Sequence, residues 1–312
     1  MHADDLGRRL VDAIDASFGT DAGFRAAHAK GVCCEGTFLP TPAAAELTTA
    51  PHMQGGAVPV IVRFSNAGSN PDMPDYAVDV LGMAVKFLLP DGRETDIVAI
   101  SLPVFFVRDA EAFIDLTRSR RLNPKTRRPS PFRILGFLAR HPEAAPAIWY
   151  SARKLNQVPA SRVQVAYHGL HAFRWIDAKA NPRYVRYDLV PEAGAVELPR
   201  REARGRGRDF LQEDLIARLG SGPARFKLVL QLADVTDPVK DASKAWPASR
   251  PLVEAGSIEI TRISADQDQG CERRVFDPTR VIDGIECSDD PLLEARRQAY
   301  SVSIERRLAA RR

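Results

Sequence analysis

Residues 25–31 read Arg25-Ala26-Ala27-His28-Ala29-Lys30-Gly31, and this stretch carries the strongest single indication of fold and function in the chain. An alanine-rich run that stops at a glycine is typical of a helix and its C-terminal end. On such a helix Arg25 and His28 would share one face. A neighbouring cation lowers the pKa of a histidine and favours its neutral, proton-accepting form. The stretch therefore predicts a general base near a bound anion. A structural histidine on a short helix is the alternative.

Composition and charge are those of an ordinary globular protein. The chain has 312 residues, a formal net charge of +4 and a hydrophobic fraction of 45%, all close to average. The small cationic excess is spread along the chain, so no nucleic-acid partner is expected. The densest basic run, residues 118–133, contains prolines and is predicted to be a solvated loop, with a binding patch as the alternative.

The cysteines and the apolar runs indicate the compartment. The four cysteines, at positions 33, 34, 271 and 287, show no CxxC or zinc-like spacing, so free thiols in a reducing compartment are expected. The N-terminus has no apolar stretch typical of a signal peptide. No apolar run is long enough to span a bilayer. The sequence thus predicts a soluble cytoplasmic protein without a membrane partner.

Hydrophobic patterns predict an α+β fold. Helices are predicted over residues 4–30, over parts of the middle of the chain (111–160) and over 291–312. Strands are predicted at residues 58–64, 84–89, 96–100, 104–107, 162–168, 173–177, 184–190, 226–232 and 257–263. Several alternate apolar and polar residues, as half-buried antiparallel strands do. The sum predicts an antiparallel barrel flanked by helices.

The last predicted helix carries an unusual stripe. Arg296, Tyr300 and Arg307 recur at spacings that place them along one side of a helix. An unperturbed tyrosine is neutral at pH 7, whereas neighbouring guanidinium groups and a ferric ion would favour its phenolate. The stripe predicts an ionised tyrosine. An arginine-rich surface helix with an incidental tyrosine is the alternative.

Several segments together resemble the heme-dependent catalase family. They are residues 25–31, Val62-Arg63-Phe64-Ser65, Asp79 followed by residues 82–87, Pro103 to Asp109 with Phe113, residues 241–247, residues 275–285 and the Ala295-Arg296…Tyr300 stretch. The matches follow the family's order over nearly the whole chain. The resemblance implies a barrel of about eight strands that holds heme b, with ferric iron, against its wall.

The resemblance also implies roles for individual residues. Tyr300 is the expected iron ligand, paired with Arg296. His171 and Asp290 would extend a hydrogen-bonded relay behind that pair. The arginines expected to bind the heme propionates are Arg25, Arg63 and Arg307.

On the opposite, distal side of the heme, His28 is the expected acid–base residue. Ser65 would orient its imidazole. Phe113 would lie over the heme, with Phe105 and Phe106 nearby, and Asp79 would line the substrate channel.

The chain departs from the family's pattern at the distal amide. Where the family has asparagine, the sequence has Ile100, and Ser101 is the neighbouring polar residue. An aliphatic side chain cannot hydrogen-bond a peroxide, so both positions are treated as candidate catalytic residues. The chain is also much shorter than ordinary catalases. It therefore resembles the small catalase-related peroxidases, which lack the C-terminal helical domain.

The implied organisation is a single heme domain over residues 1–312. It comprises a helical arm (1–30), a barrel with a helical insertion (31–265), and a segment ending in a helix (266–312). The expected function is a peroxidase that reduces organic hydroperoxides and H2O2 with an external electron donor and has weak catalase activity. The alternatives are a true catalase, a non-catalytic heme-binding protein and a hydroperoxide isomerase. A homodimer or other homo-oligomer is expected.

Overall fold

Strands and helices occupy separate parts of the fold. The structure is a computed structural model that describes residues 3–19, 23–77, 80–121, 123, 129–153 and 156–310. The strands are β1 (Gly31–Pro40), β2 (Val58–Asn66), β3 (Leu81–Leu88), β4 (Glu94–Ile100), β5 (Gln157–Pro159), β6 (Tyr167–Ile176), β7 (Pro182–Pro191), β8 (Glu197–Pro199), β9 (Ala224–Leu232), β10 (Leu252–Ile263) and β11 (Ile285–Cys287). The helices are α1 (Ala3–Phe18), α2 (Pro42–Leu47), α3 (Ala110–Ser119), α4 (Pro131–Arg140), α5 (Ala145–Arg153), α6 (Arg200–Gly205), α7 (Phe210–Ser221) and α8 (Pro291–Ala309).

The structure also contains four short helical turns among the described residues. Three are 3-10 turns, at Pro51–Met53, Asp75–Ala77 and Pro142–Ala144, and one is a π-helical turn at Asp268–Glu272. None of the helices in the described ranges is both long and apolar enough to cross a lipid bilayer.

Eight antiparallel strands close into a barrel, as predicted. Their order is β6-β4-β3-β2-β1-β10-β9-β7, and pairing between β7 and β6 closes the ring. The short strand β11 pairs with β6. Closure leaves no free sheet edge among the eight strands, which removes the usual risk of edge-to-edge association.

The barrel interior is apolar and aromatic. Strand β9 shows the pattern most clearly, because Phe226, Leu228, Leu230 and Leu232 are buried and alternate with partly exposed residues. Side chains that alternate along a strand face opposite sides of the sheet, so one set fills the barrel. The rings of Phe64, Tyr167 and Phe226 lie 6.1 to 6.2 Å apart in this core.

A second packing unit joins three helices outside the barrel. Apolar residues of α1, α3 and α8 form one buried cluster. Helix α1 approaches α8 closely at Gly7, where an added Cβ would lie 2.7 Å from the backbone oxygen of Gln298. Arg306 of α8 also pairs with Asp12 and Asp15 of α1. These contacts fix α8, which carries Tyr300, against the rest of the domain.

Several predicted elements are wrong in detail. Helix α1 ends at Phe18, and residues 24–30 form bends, so the predicted helix over 4–30 is too long. Residues 104–107 form bends and irregular structure, not a strand. The strand predicted at 162–168 begins only at Tyr167. Strand β1 was not predicted. Within the predicted loop at 118–133, residues 122 and 124–128 lie outside the described residues, and α4 begins at Pro131.

The cysteine prediction is also wrong. Cys33 and Cys271 form a disulfide that joins positions 238 residues apart, whereas Cys34 and Cys287 are free thiols. Both bonded residues are buried beside Ile61 and Phe276. The disulfide therefore links β1 to the turn at Asp268–Glu272. Because two of the four cysteines are bonded, the prediction of a reducing compartment from free thiols loses its basis.

Candidate active site

His28 lies in a bend and not on a helix. Its backbone has a φ of +57°, a left-handed conformation that is uncommon for a residue other than glycine. The backbone N–H of His28 donates to the Ala67 carbonyl, and that of Ala29 donates to Gly68. The chain then enters β1 at Gly31, which pairs with Ser65 of β2. Strand pairing, not helix formation, thus positions the histidine.

The imidazole of His28 rests on two neighbouring strands. Its Nδ1 lies 2.9 Å from the Ser65 hydroxyl oxygen on β2. On β3, Gly82 leaves the necessary space, because a Cβ there would lie 2.8 Å from the ring and 2.7 Å from the Ser65 oxygen. Burial lowers the pKa of His28 to about 3, with further contributions from Arg63, Arg296 and Arg25. The ring is therefore neutral near pH 7, as predicted, although burial rather than Arg25 is the main cause.

Three arginines, Arg25, Arg63 and Arg307, lie close to one another, and Arg63 contacts His28. Arg63 is 4% exposed, and its Nη2 donates to the His28 carbonyl oxygen at 3.0 Å. Arg25 donates to the carbonyl oxygen of Arg274 at 2.8 Å, and the buried Arg307 lies 3.5 Å from the same oxygen. Burial, together with Arg25, lowers the pKa of Arg63 to about 9, so it stays cationic at pH 7. The three predicted propionate-binding arginines are thus brought together.

One carboxylate, not predicted from the sequence, lies among these arginines. Glu272 accepts from Arg25 at 2.5 Å and from Arg63 at 3.1 Å. Burial opposes its ionisation, but Arg63 and Arg25 outweigh that effect and lower the pKa of Glu272 below its usual value. A single acidic residue in a charged segment gives no pattern from which this position could be recognised.

A series of hydrogen bonds leads to Tyr300 from the buried residues Asp290 and His171 through the partly buried Arg296. Arg296 donates to the Tyr300 hydroxyl oxygen at 2.7 Å and to His171 Nε2 at 3.0 Å. His171 Nδ1 lies 2.8 Å from a carboxylate oxygen of Asp290. Because a guanidinium only donates, His171 Nε2 must accept, and its Nδ1–H must donate to Asp290. Burial lowers the pKa of His171, and Arg296 lowers it further, which is consistent with a neutral ring.

Helix geometry explains why these four side chains can form their hydrogen bonds. Arg296 and Tyr300 are four residues apart on α8, so their side chains meet on one face. Asp290 is the N-cap of the same helix, and its other carboxylate oxygen accepts from the Leu292 backbone N–H at 2.9 Å. His171 comes from β6 of the barrel. The start of α8 and the barrel wall together hold these hydrogen-bonded side chains in place.

The neighbourhood of Ile100 is apolar. Ile100 pairs in register with Gly82, which borders the His28 ring. Its side chain packs with Phe105 against Leu170, Ala242 and Leu292.

Three phenylalanines and Ser101 lie close to Ile100 in the sequence or in its packing. Phe105 stacks on Phe113 with ring centroids 6.0 Å apart, and Phe106 lies edge-on to Phe105. The Ser101 hydroxyl oxygen accepts from the Leu81 backbone N–H at 3.0 Å, so this hydroxyl is engaged with β3. Asp79, the predicted channel residue, lies outside the described residues.

Comparison with known proteins agrees with this geometry. A family model described as Catalase matches residues 22–311. The match and the names of the relatives define the class as oxidoreductases that act on peroxide. The chain belongs to the catalase family.

Individual relatives refine the comparison. A catalase-related peroxidase of Mycolicibacterium paratuberculosis is 44% identical over 299 residues, covering 96% of this chain and 94% of that protein. A catalase-related peroxidase of Synechococcus elongatus is 32% identical over 96% of this chain and 88% of its own. A solved bacterial catalase superposes with a TM-score of 0.82 at 28% identity, covering 92% of this chain. The chain spans 58% of the length of that catalase.

Replacing Gly82 by alanine should displace the His28 ring. The added Cβ overlaps both the imidazole and its Ser65 partner, and overpacking of this kind costs about 1–3 kcal/mol of folding stability. We expect a lower free energy of unfolding and a loss of the His28–Ser65 hydrogen bond, measured by denaturant unfolding and by NMR of the histidine side chain. Gly136→Ala in α4 is the control, because nothing lies within 4 Å of its added Cβ. Equal stability of the two variants would contradict the expectation.

Proposed function

We propose that the chain is a heme peroxidase that reduces organic hydroperoxides and H2O2 with an external electron donor and has weak catalase activity. The observation that carries the proposal is the series of hydrogen bonds that joins Asp290, His171, Arg296 and Tyr300. This series ends at the phenol oxygen of Tyr300, which accepts from Arg296. Heme b is the proposed cofactor, and Tyr300 its proposed iron ligand.

The residues present fit such a cofactor. Arg25, Arg63 and Arg307 place three positive charges around one carboxylate, and the Nε of Arg63 is buried without a hydrogen-bond partner among the described residues. Guanidinium groups suit the two carboxylates of a heme because their paired N–H donors match carboxylate geometry. A tyrosine is also the iron ligand known for catalases.

Arg296 prepares Tyr300 for that role. A cationic donor 2.7 Å from the phenol oxygen compensates negative charge on that oxygen. The arginine is held from behind by neutral His171, which is itself oriented by Asp290. Such outer partners fix the position of a metal ligand and tune its basicity. When bound, the heme supplies the redox chemistry that cleaves the peroxide O–O bond.

His28 provides the acid–base function. Its neutral ring has one nitrogen directed at the Ser65 hydroxyl, and Nδ1–H donation to Ser65 leaves Nε2 as the proton acceptor. In the proposed mechanism Nε2 takes the proton of the incoming hydroperoxide and returns it to the departing oxygen. The low pKa of His28 keeps this nitrogen available as a base near pH 7.

Ile100 favours an alkyl hydroperoxide over H2O2. A catalase must position a second H2O2 as the reductant, and an amide hydrogen bond helps to do so. Ile100 offers no donor, and the Ser101 hydroxyl, which accepts from the Leu81 backbone N–H, is the polar group beside it in the sequence. Apolar residues surround this position, and an apolar pocket binds the organic part of a hydroperoxide.

Product analysis of the heme-loaded protein tests the function as a whole. We expect turnover of cumene hydroperoxide that requires an added electron donor, together with slow oxygen evolution from H2O2. Rapid donor-free oxygen evolution would identify a true catalase. The absence of any reaction with peroxide would identify a heme-binding protein without catalysis.

Ile100→Asn should change the balance between these reactions. A restored distal hydrogen bond is worth about 10²–10³ in rate when it acts on the transition state. We therefore expect oxygen evolution from H2O2 to rise relative to donor-dependent turnover, measured on the same preparation. Ile100→Leu is the matched control, because it changes shape without adding a donor. An equal ratio in both variants would contradict the assignment.

Tyr300→Phe should remove the iron ligand. The variant keeps the ring and loses the oxygen that accepts from Arg296. We expect loss of most of the heme, or loss of the phenolate-type optical spectrum, measured by heme content and absorbance after purification. Tyr184→Phe, on β7, serves as the control and should retain both. An unchanged spectrum and heme content in Tyr300→Phe would refute the ligand assignment.

A further inference from the structure

Glu272 occupies donors that a heme carboxylate would use. Its two carboxylate oxygens are divided between Arg25 and Arg63, at 2.5 and 3.1 Å. Its side chain is 16% exposed, and those of the two arginines are 12% and 4% exposed. Arg307 also acts on this carboxylate electrostatically. In the structure, therefore, a side-chain carboxylate lies on two of the three arginines proposed to bind the heme propionates.

Charge favours this contact when no heme is bound. Three arginines packed together repel one another, and Arg63 is almost fully buried. A buried cation is destabilising when no opposite charge compensates it, and Glu272 is the carboxylate that pairs with Arg63. Glu272 pairs with Arg25 and Arg63. Its negative charge lowers the summed charge of the three arginines from +3 to +2. It thus stabilises the fold independently of any cofactor.

The segment that carries Glu272 is anchored to the barrel. Cys271, the preceding residue, is bonded to Cys33 of β1. The Gln267 side chain accepts from the Cys33 N–H at 2.9 Å and donates to the Cys33 carbonyl at 2.8 Å. Arg25 in turn donates to the Cys271 carbonyl at 3.1 Å. These contacts hold the Glu272 carboxylate at the arginines, because the segment that carries it is fixed to the barrel.

We propose that Glu272 is an internal substitute for a heme propionate, one that holds Arg25 and Arg63 in the heme-free protein and competes with the propionate for them. The inference rests on the proposed heme function and names a residue that tunes cofactor retention. Its consequence is a trade-off. The carboxylate stabilises the heme-free fold, and it lowers heme affinity because the same donors cannot serve both carboxylates fully.

Glu272→Gln separates the two effects. The full-length heme-free variant should have a lower thermal midpoint than the native protein, because its arginines lose their carboxylate. The heme-loaded variant should lose heme more slowly to an excess of a heme-scavenging protein. One or two hydrogen bonds between charged groups correspond to a change of about 10- to 100-fold in this rate. Heme dimethyl ester, which lacks the propionate charges, should show no such gain.

Asp237→Asn is the matched control. Asp237 is also a buried carboxylate paired with an arginine, Arg250, at 2.7 Å, but it does not contact the three arginines of the site. It should lower the thermal midpoint and leave the rate of heme loss unchanged.

Three outcomes would count against these ideas, and they are distinguishable. Faster or unchanged heme loss in Glu272→Gln would overturn the inference and identify Glu272 as a permanent clamp on the arginines. An equal gain with the dimethyl ester would overturn it too, because the effect would not involve propionates. Failure of the native chain to hold heme would overturn the proposed function itself.

Discussion

The site depends on one partly buried ion, the guanidinium of Arg296. It donates to the Tyr300 oxygen and to His171, and His171 in turn donates to Asp290. Hydrogen bonds to a charged group are strong and directional, so the start of α8, the wall strand β6 and the tyrosine are fixed relative to one another. The packing of α1 and α3 on α8 supports the same arrangement from outside the barrel. The position of the proposed iron ligand therefore follows from the electrostatic needs of one arginine.

The arginines of the site serve two purposes. Arg25 and Arg63 are proposed to hold the heme carboxylates, and after burial they also contribute, with Arg296, to keeping His28 neutral. The proposed cofactor binding and the proposed acid–base chemistry would therefore be coupled through shared charges. Glu272 moderates the field by pairing with two of these arginines. A change at this carboxylate should consequently affect both the proposed retention of heme and the proton affinity of His28.

Local patterns predicted the parts of the molecule that local physics controls. The alternation in β9 and the helical stripe on α8 both describe the structure correctly, because neighbouring residues determine them. The stretch 25–31 was predicted as helix from its alanines, but pairing of Gly31 with Ser65 and the loop contacts of His28 override that preference. The Cys33–Cys271 bond and the Glu272 contacts join distant parts of the chain. No spacing rule reveals such contacts before the fold is known.

The optical spectrum of the heme-loaded protein across pH 6–9 tests the central claim most directly, when native protein, Arg296→Gln and Arg297→Gln are compared. Arg297 is exposed, pairs with Glu294 and does not contact Tyr300, so its variant is the control. The account predicts that the native protein and Arg297→Gln keep a phenolate-ligated spectrum throughout, whereas Arg296→Gln loses it at the acid end or loses heme. A phenolate-ligated spectrum that is identical in all three proteins over the whole range would contradict the claim that Arg296 sustains the iron ligand.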